Sequence, residues 1–163
     1  MKKTLLTFII TFVFLSWNAQ SQSEKEEKIR SKINSEFQEN ASNCNREINA
    51  ITDVNGKTEF WSICNLEKGN RIITIESHEK ETYFQEIYFE KNGKLIYAKE
   101  TENYIPRNHF TQISWNCEFY TENGKLITLI SLGHGKTENE EWNPEIIFDM
   151  YKNRLSELQQ IKK

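Results

Sequence analysis

The segment from Ser131 to Glu138, SLGHGKTE, contains GKT after an apolar run and so resembles part of a nucleotide-binding loop. Such a loop needs a glycine five positions before the glycine of GK[ST], because a run of backbone amides must wrap the phosphates. The residue five positions before Gly135 is Ile130. The sequence therefore predicts no phosphate site here, and we expect Gly133 and Gly135 to end a strand and turn the chain.

The chain contains three histidines, His78, His109 and His134, and histidine is a common metal ligand. Each is near the end of a predicted strand, and no two have the spacing of zinc ligands on a helix or hairpin. A zinc site would need them to converge with a carboxylate. We therefore expect three surface histidines, with no metal and no cofactor.

Catalysis by side chains has no distinct candidate in the sequence. Acidic residues are abundant, but no single glutamate has an apolar setting that would raise its pKa, as general acid catalysis requires. Ser114 and Ser131 have no nucleophile elbow around them. A reactive thiol at Cys117 would lack a nearby basic partner, and a lone buried cysteine is more often a packing residue. We predict no catalytic residue, while paired carboxylates remain open.

Aromatic residues are the feature that stands out most. Strand alternation implies that they cannot all face one side, so some could lie exposed and bind a sugar, a peptide or a protein edge. The alternative is that cross-strand aromatic pairs only stabilise the sheet. These aromatic residues lie in or near the predicted strands, and they are Phe60, Trp61, Tyr83, Phe84, Tyr88, Phe89, Tyr97, Tyr104, Tyr120 and Trp142.

A long connection from Gly133 to Trp142 is the predicted rim of such a binding surface. It gathers His134, Lys136 and Trp142. Together with Trp61, these are our candidate ligand-binding residues.

The N-terminus has the layout of a secretory signal. Lys2 and Lys3 precede an apolar run from Leu5 to Leu15, and Ala19 precedes a polar stretch. The run is shorter than the roughly 20 residues that a membrane helix needs. We expect residues 1–20 to be a signal peptide, residues 21–163 to form a single domain, and the protein to be periplasmic or secreted.

Net charge argues against nucleic acid as a partner. Removal of residues 1–20 takes away two lysines and leaves 19 basic against 24 acidic residues, a net charge of -5. Acidic and basic residues alternate without a basic stripe. We expect the partner to be a protein, peptide or glycan of the cell envelope.

An odd number of cysteines permits at most one internal disulfide. Cys44 and Cys64 flank a turn at Asp53 to Lys57 and could meet across a hairpin, whereas Cys117 belongs to an inward-facing row. We favour Cys44 with Cys64, and the two pairings that include Cys117 stay open.

Helical patterns occur at both ends of the mature chain. Ser23 and Glu26 fit a capping box, which predicts a helix from about Glu24 to Asn40. A second helix is predicted after Asn143, because Pro144 suits the first helical position. The apolar stripes of the two helices are Ile29, Ile33 and Phe37, and Ile147, Tyr151, Leu155 and Leu158.

Between about Arg46 and Leu132 the hydrophobic period is two, and the turn signals predict hairpins. We predict six strands: TEFWSICNL, RIITIES, TYFQEIYFE, KLIYAKE, FTQISWNCEFY and KLITLISL, with a possible seventh at Arg46 to Ile51. In the fifth, Ile113, Trp115, Cys117 and Phe119 alternate with polar residues, which indicates an antiparallel sheet with one buried face.

Two hairpins share the string NGKLI. It occurs in FEKNGKLIYAKE, from Phe89 to Glu100, and in YTENGKLITLIS, from Tyr120 to Ser131. We expect two equivalent hairpins side by side in one sheet. The connection between them, Thr101 to His109, contains Pro106 and is predicted to be an irregular loop.

The signal that ends in NAQSQ, the early capped helix, the paired F-x-x-NGKLI and Y-x-x-NGKLI hairpins and the closing helix together resemble a group of small uncharacterised exported proteins of Bacteroidota. The resemblance implies envelope or extracellular location. It implies no activity and supplies no catalytic residue.

These patterns predict an α+β fold in which an antiparallel meander of about six strands carries both terminal helices on one face. Our first functional hypothesis is a non-catalytic binding or inhibitory module that uses the open sheet face. A small hydrolase of envelope glycan, acting through surface carboxylates, is the second. A structural subunit that pairs through a sheet edge is the third, and it requires a long uncharged edge strand.

Overall fold

The computed structural model describes residues 23–45, 47–54, 56–107 and 111–161. The predicted signal peptide and His109 lie outside this range. The described residues form helix α1 (23–42), a sheet of seven strands and helix α2 (Ile146–Ile161). The strands are β1 (Ala50–Val54), β2 (Lys57–Asn65), β3 (Arg71–Glu79), β4 (Thr82–Lys91), β5 (Lys94–Tyr104), β6 (Ile113–Glu122) and β7 (Lys125–Gly133).

The sheet is an antiparallel meander in which spatial order follows chain order from β1 to β7. The predicted α+β class and antiparallel pairing are confirmed, with seven strands instead of about six. The seventh strand predicted at Arg46 to Ile51 lies further along the chain, at Ala50–Val54. The loop predicted from Thr101 is shorter than expected, because β5 continues to Tyr104.

The two NGKLI hairpins occupy equivalent places in the sheet. Asn92 and Gly93 join β4 to β5, and Asn123 and Gly124 join β6 to β7, all four with φ between 51° and 75°. Asparagine tolerates this left-handed region and glycine adopts it freely, which is why the pair suits a two-residue turn. Both hairpins also shift register just before the turn, after Phe89 and after Tyr120.

The two helices pack on opposite faces of the sheet, so the prediction that both cover one face is wrong. Helix α1 packs on one side of the sheet and α2 on the other. The α1 cluster contains Ile33, Phe37, Ile72, Phe89, Tyr97 and Tyr120. The α2 cluster contains Trp61, Ile73, Ile75, Tyr88, Leu95, Ala98, Trp115, Cys117, Phe119, Ile147, Tyr151 and Leu158.

The physical reason lies in how polarity changes along a strand. On β6, Ser114, Asn116 and Glu118 are the polar partners of the inward row, but the next residue on that side is the buried Tyr120. One end of this face is therefore apolar and takes α1. In the inward row, Trp115, Cys117 and Phe119 are buried, whereas Ile113 at the strand's start is 50% exposed.

The structure joins Cys44 to Cys64, the pairing favoured from the sequence, and Cys117 is a free, buried thiol. The bridge does not cross a hairpin, because Cys44 follows α1. It ties the end of α1 to β2 and closes a loop of about 20 residues. Among the described residues, no helix is long and apolar enough to cross a membrane.

Replacing Phe37 by alanine should lower the free energy of unfolding by about 3–5 kcal/mol, the range for a buried phenylalanine. The Phe37 ring stacks on Tyr97 with centroids 4.5 Å apart, so its loss leaves a cavity between α1 and the sheet. Urea unfolding followed by circular dichroism measures this change. Ile51→Ala, at a side chain that is 62% exposed, is the control and should change stability by less than about 0.5 kcal/mol. Equal effects of the two substitutions would contradict the placement of α1.

Candidate functional site

A partly buried group of charges lies between α2 and the sheet, centred on Arg154. Its guanidinium donates to both carboxylate oxygens of Glu59 at 3.0 Å and to those of Glu86 at 2.7 and 2.8 Å. It also donates to Glu157 at 2.8 Å and lies 5.7 Å above the ring centre of Trp61. These contacts fix α2 over β2 and β4.

Burial disfavours the charge of Arg154, but its bonds to Glu86, Glu157 and Glu59 outweigh burial and raise its pKa. Burial would likewise raise the pKa of Glu86, but the hydrogen bonds and charge of Arg154 outweigh it and lower that pKa. Glu86 is therefore a carboxylate whose lone pairs are used in holding α2.

Glu100 lies directly across from Glu86 in the pairing of β4 with β5, and its environment is the opposite. It is 3% exposed. Burial raises its pKa, the charges of Glu86 and Glu102 raise it further, and Lys136 only partly offsets them. Two neighbouring carboxyl groups thus have their pKa values pushed apart, an arrangement that often marks a functional site.

One oxygen of Glu100 has a partner and the other does not. Lys136 Nζ donates to Glu100 Oε1 at 3.1 Å. Oε2 is buried, and no donor among the described residues lies within hydrogen-bonding distance of it. A buried polar atom without a partner lowers stability by about 1–3 kcal/mol, so Glu100 is poorly explained as a purely structural residue.

The segment after β7 brings Lys136 to this place by packing on Trp115. The indole nitrogen of Trp115 donates to Ser131 at 3.0 Å and to Thr137 at 3.1 Å, and Lys136 Nζ lies 5.2 Å from the ring centre. A Cβ at Gly135 would meet the indole at 2.5 Å, so only glycine permits this approach. The GKT residues therefore hold a tryptophan, and no helix longer than three residues begins there.

A hollow borders this cluster, and Phe84 is the residue that it shares with a second, outer hollow. The inner hollow has a volume of about 180 Å³ and is lined by Lys57, Phe84, Glu86, Glu100, Glu102, Trp115, Lys136 and Met150, with Gln85 and Thr101. The outer hollow has a volume of about 750 Å³ and is lined by Glu79, Lys80, Glu81, Thr82, Phe84, Tyr104 and Arg107. We call the two together the Phe84 groove. Lys57 Nζ lies 4.5 Å from the centre of the Phe84 ring.

Of the four candidate ligand-binding residues, the structure places Lys136 in the groove. His134 is exposed and pairs with Glu138 at 2.6 Å. Trp142 packs edge-on against Trp115 and also contacts Phe119, with centroids 6.4 and 6.2 Å apart. Trp61 is fully buried beneath Arg154.

Half of the aromatic residues named as candidates for display lie in the core. Because helices cover both faces of the sheet, five of the ten named residues are at most 2% exposed: Trp61, Tyr88, Phe89, Tyr97 and Tyr120. Tyr104 is the aromatic residue with the largest exposed fraction among the described residues, at 36%, and it lines the outer hollow.

The thiol of Cys117 is buried and unreactive. Burial, followed by the charges of Glu100 and Glu118, raises the pKa of the Cys117 thiol to about 12, so it stays protonated at neutral pH. Within the described ranges, no group of three histidine, cysteine or acidic residues could hold a metal ion.

Glu100 is the residue that the sequence analysis missed, and the statement that no glutamate has an apolar setting is wrong for it. In the sequence it is one acid among many in KLIYAKETE. The available signal for its burial is its position two residues after Ala98, because residues two apart on a strand share a face. Its burial follows from pairing with Glu86 on β4 and Cys117 on β6, which the sequence does not show.

No protein-family model, curated protein or solved structure matches this chain. Function must therefore be inferred from the site itself.

Replacing Glu100 by glutamine should change how stability depends on pH. Because the pKa of Glu100 is raised on folding, the wild type loses stability as pH rises from the ordinary glutamate value of about 4.3 through the raised value. Glutamine does not titrate, so the variant lacks this loss. The free energy of unfolding of Glu100→Gln relative to wild type should increase across that window and level off above it.

Urea unfolding at a series of pH values measures this difference. Glu122→Gln makes the same chemical change at an exposed position on β6 and should show no such rise. Parallel pH curves for wild type and Glu100→Gln would contradict the raised pKa.

Proposed function

We propose that this chain is an exported, non-catalytic binding module that holds a segment of an envelope peptide or glycan in the Phe84 groove. The observation that carries the proposal is Glu100, a residue that lines the inner hollow, is 3% exposed and has one carboxylate oxygen without a hydrogen-bond partner among the described residues. Buried polar groups without partners are rare in folded proteins and are retained where a ligand or a reaction uses them.

The dimensions of the groove support one extended ligand. The outer hollow, about 750 Å³, falls within the range of ordinary ligand sites, whereas the inner hollow, about 180 Å³, is below it. We infer that the ligand lies along the outer hollow and places one small group in the inner hollow. Phe84 and Tyr104 offer ring surface for contact at low entropic cost.

Both signs of charge line the groove, so it suits a ligand with hydrogen-bond donors and acceptors of its own. Lys57 and Lys136 flank the inner hollow, and Arg107 lies on the outer hollow. Glu100 and Glu102 supply acceptors between them. An envelope peptide or an amino-sugar chain has this mixed chemistry, whereas the backbone of nucleic acid is uniformly anionic.

Export is part of the same proposal. The N-terminal segment has the layout of a signal peptide, and a disulfide between Cys44 and Cys64 suits an oxidising compartment.

A small glycan hydrolase is the second candidate, and the raised pKa of Glu100 favours it, because a general acid needs such a pKa. Against it, the neighbouring Glu86 accepts two hydrogen bonds from Arg154 and one from Tyr88, so it is not free to act as nucleophile or base. Glu86 therefore does not supply the second free carboxylate that glycoside hydrolysis requires.

Retention of envelope fragments on immobilised protein tests the binding proposal. Protein purified after export is exposed to a peptide digest and to solubilised peptidoglycan fragments, and bound material is identified by mass spectrometry. Phe84→Ala removes the wall shared by both hollows and should reduce retention at least about tenfold, equivalent to about 1.4 kcal/mol. Tyr83→Ala, on the next residue and the opposite face of β4, is the matched control and should retain the wild-type amount.

Two outcomes would count against the binding proposal. Equal losses for Phe84→Ala and Tyr83→Ala would show that the groove is not the site. Release of soluble fragments from intact peptidoglycan by wild type, abolished in Glu100→Gln, would favour the hydrolase.

A further inference from the structure

The strand β7 forms an edge of the sheet with unusual composition. In the part of the chain that the structure describes, β7 pairs on one side only, with β6. Seven consecutive residues, Leu126 to Leu132, read LITLISL and contain no charge, no proline and no glycine. Its side chains are half-buried up to Ser131, and Leu132 is 60% exposed.

Such an edge is a template for another strand. Its outward N–H and C=O groups point away from β6, and only extended backbone can satisfy them as a ladder. Native proteins usually protect an edge with charges, proline, bulges or short length. β7 has one lysine, Lys125, at its start and a register shift near Tyr120, which leaves the stretch from Thr128 to Leu132 regular and unprotected.

The opposite edge of the sheet is built differently. β1 has five residues, carries Asp53 near its end and is followed by Lys57 at the start of β2. Its charge limits pairing in the usual way. The contrast indicates that the uncharged composition of β7 is a property of that edge and not of edges in this chain generally.

We propose that β7 pairs with β7 of a second copy of this chain, antiparallel and about a two-fold axis through the middle of the strand. Charge and closure favour this occupant. Because the paired stretch is uncharged, no like charges face each other, which would destabilise a self-pair. A two-fold pair uses up both β7 edges and stops at two, whereas pairing of β7 with β1 would continue into filaments.

When the pairing is centred near Ile130, residues that lie on the same face of the sheet are opposite each other across the two strands. Ile130 of each copy then lies opposite its own counterpart, and Leu132 lies opposite Thr128. The exposed Leu132 is thereby covered by a β-branched residue, the kind of cross-strand contact that stabilises sheets. The two sheets become one, with the Phe84 groove present in each copy.

Solution mass tests this pairing directly. Protein purified after export is measured by light scattering and sedimentation from micromolar to millimolar concentration. Wild type should have twice the mass of one chain at the upper end. Ile130→Lys places two lysines directly opposite each other at the centre of the pair, and Leu132→Lys replaces the apolar contact with Thr128 by a charge on the edge; each should halve that mass. Ile51→Lys, an exposed residue on β1, is the control and should remain a dimer.

Other outcomes overturn the proposal. A wild type that stays monomeric throughout, including one that binds a foreign extended peptide instead, excludes self-pairing. A dimer that persists in Leu132→Lys uses another surface, and growth into filaments indicates heterologous pairing. If Ile130→Lys unfolds, Leu132→Lys decides the result, because that side chain is mostly exposed and its replacement leaves the core intact.

Discussion

The position of α2 depends on one largely buried cation. Arg154 satisfies Glu59 on β2 and Glu86 on β4 at the same time, and both carboxylates lie beneath the helix. Taking three charged groups out of water is unfavourable unless their geometry is good, so the helix has little freedom to slide or rotate. A second buried group acts in the same way, because Arg71 and Tyr151 both bond to Glu90.

The fixed helix determines where the groove can be. Helix α2 does not cover the sheet beyond its own N-terminal part. The inner hollow lies there, and polar residues of β4 and β5 line it. Glu100 lies at this boundary. It is deep enough for burial to raise its pKa, and it is close enough to the segment after β7 for Lys136 to reach it. The groove is lined chiefly by β4 and β5, whereas the proposed pairing uses the outer side of β7.

Local chemistry made much of the fold predictable. Asn-Gly turns at positions 92–93 and 123–124 and the alternation in β6 lead to antiparallel hairpins, because each depends only on neighbouring residues. The sides of the helices were not predictable in that way. The α1 side of the sheet is polar at Ser114 and apolar at Tyr120. The alternation along β6 suggests that this whole side faces solvent, so it does not reveal the apolar end. Glu100 was missed for the same reason, since its environment comes from three strands and a distant lysine.

The free energy of unfolding of Arg154→Met tests the central claim most directly. Methionine keeps much of the volume but leaves the buried Glu59 and the partly buried Glu86 without their counter-charge, so stability at neutral pH should fall by about 3–5 kcal/mol. A change of less than about 0.5 kcal/mol, the range of ordinary surface substitutions, would contradict the account, because it would mean that Arg154 does not hold α2 on the sheet.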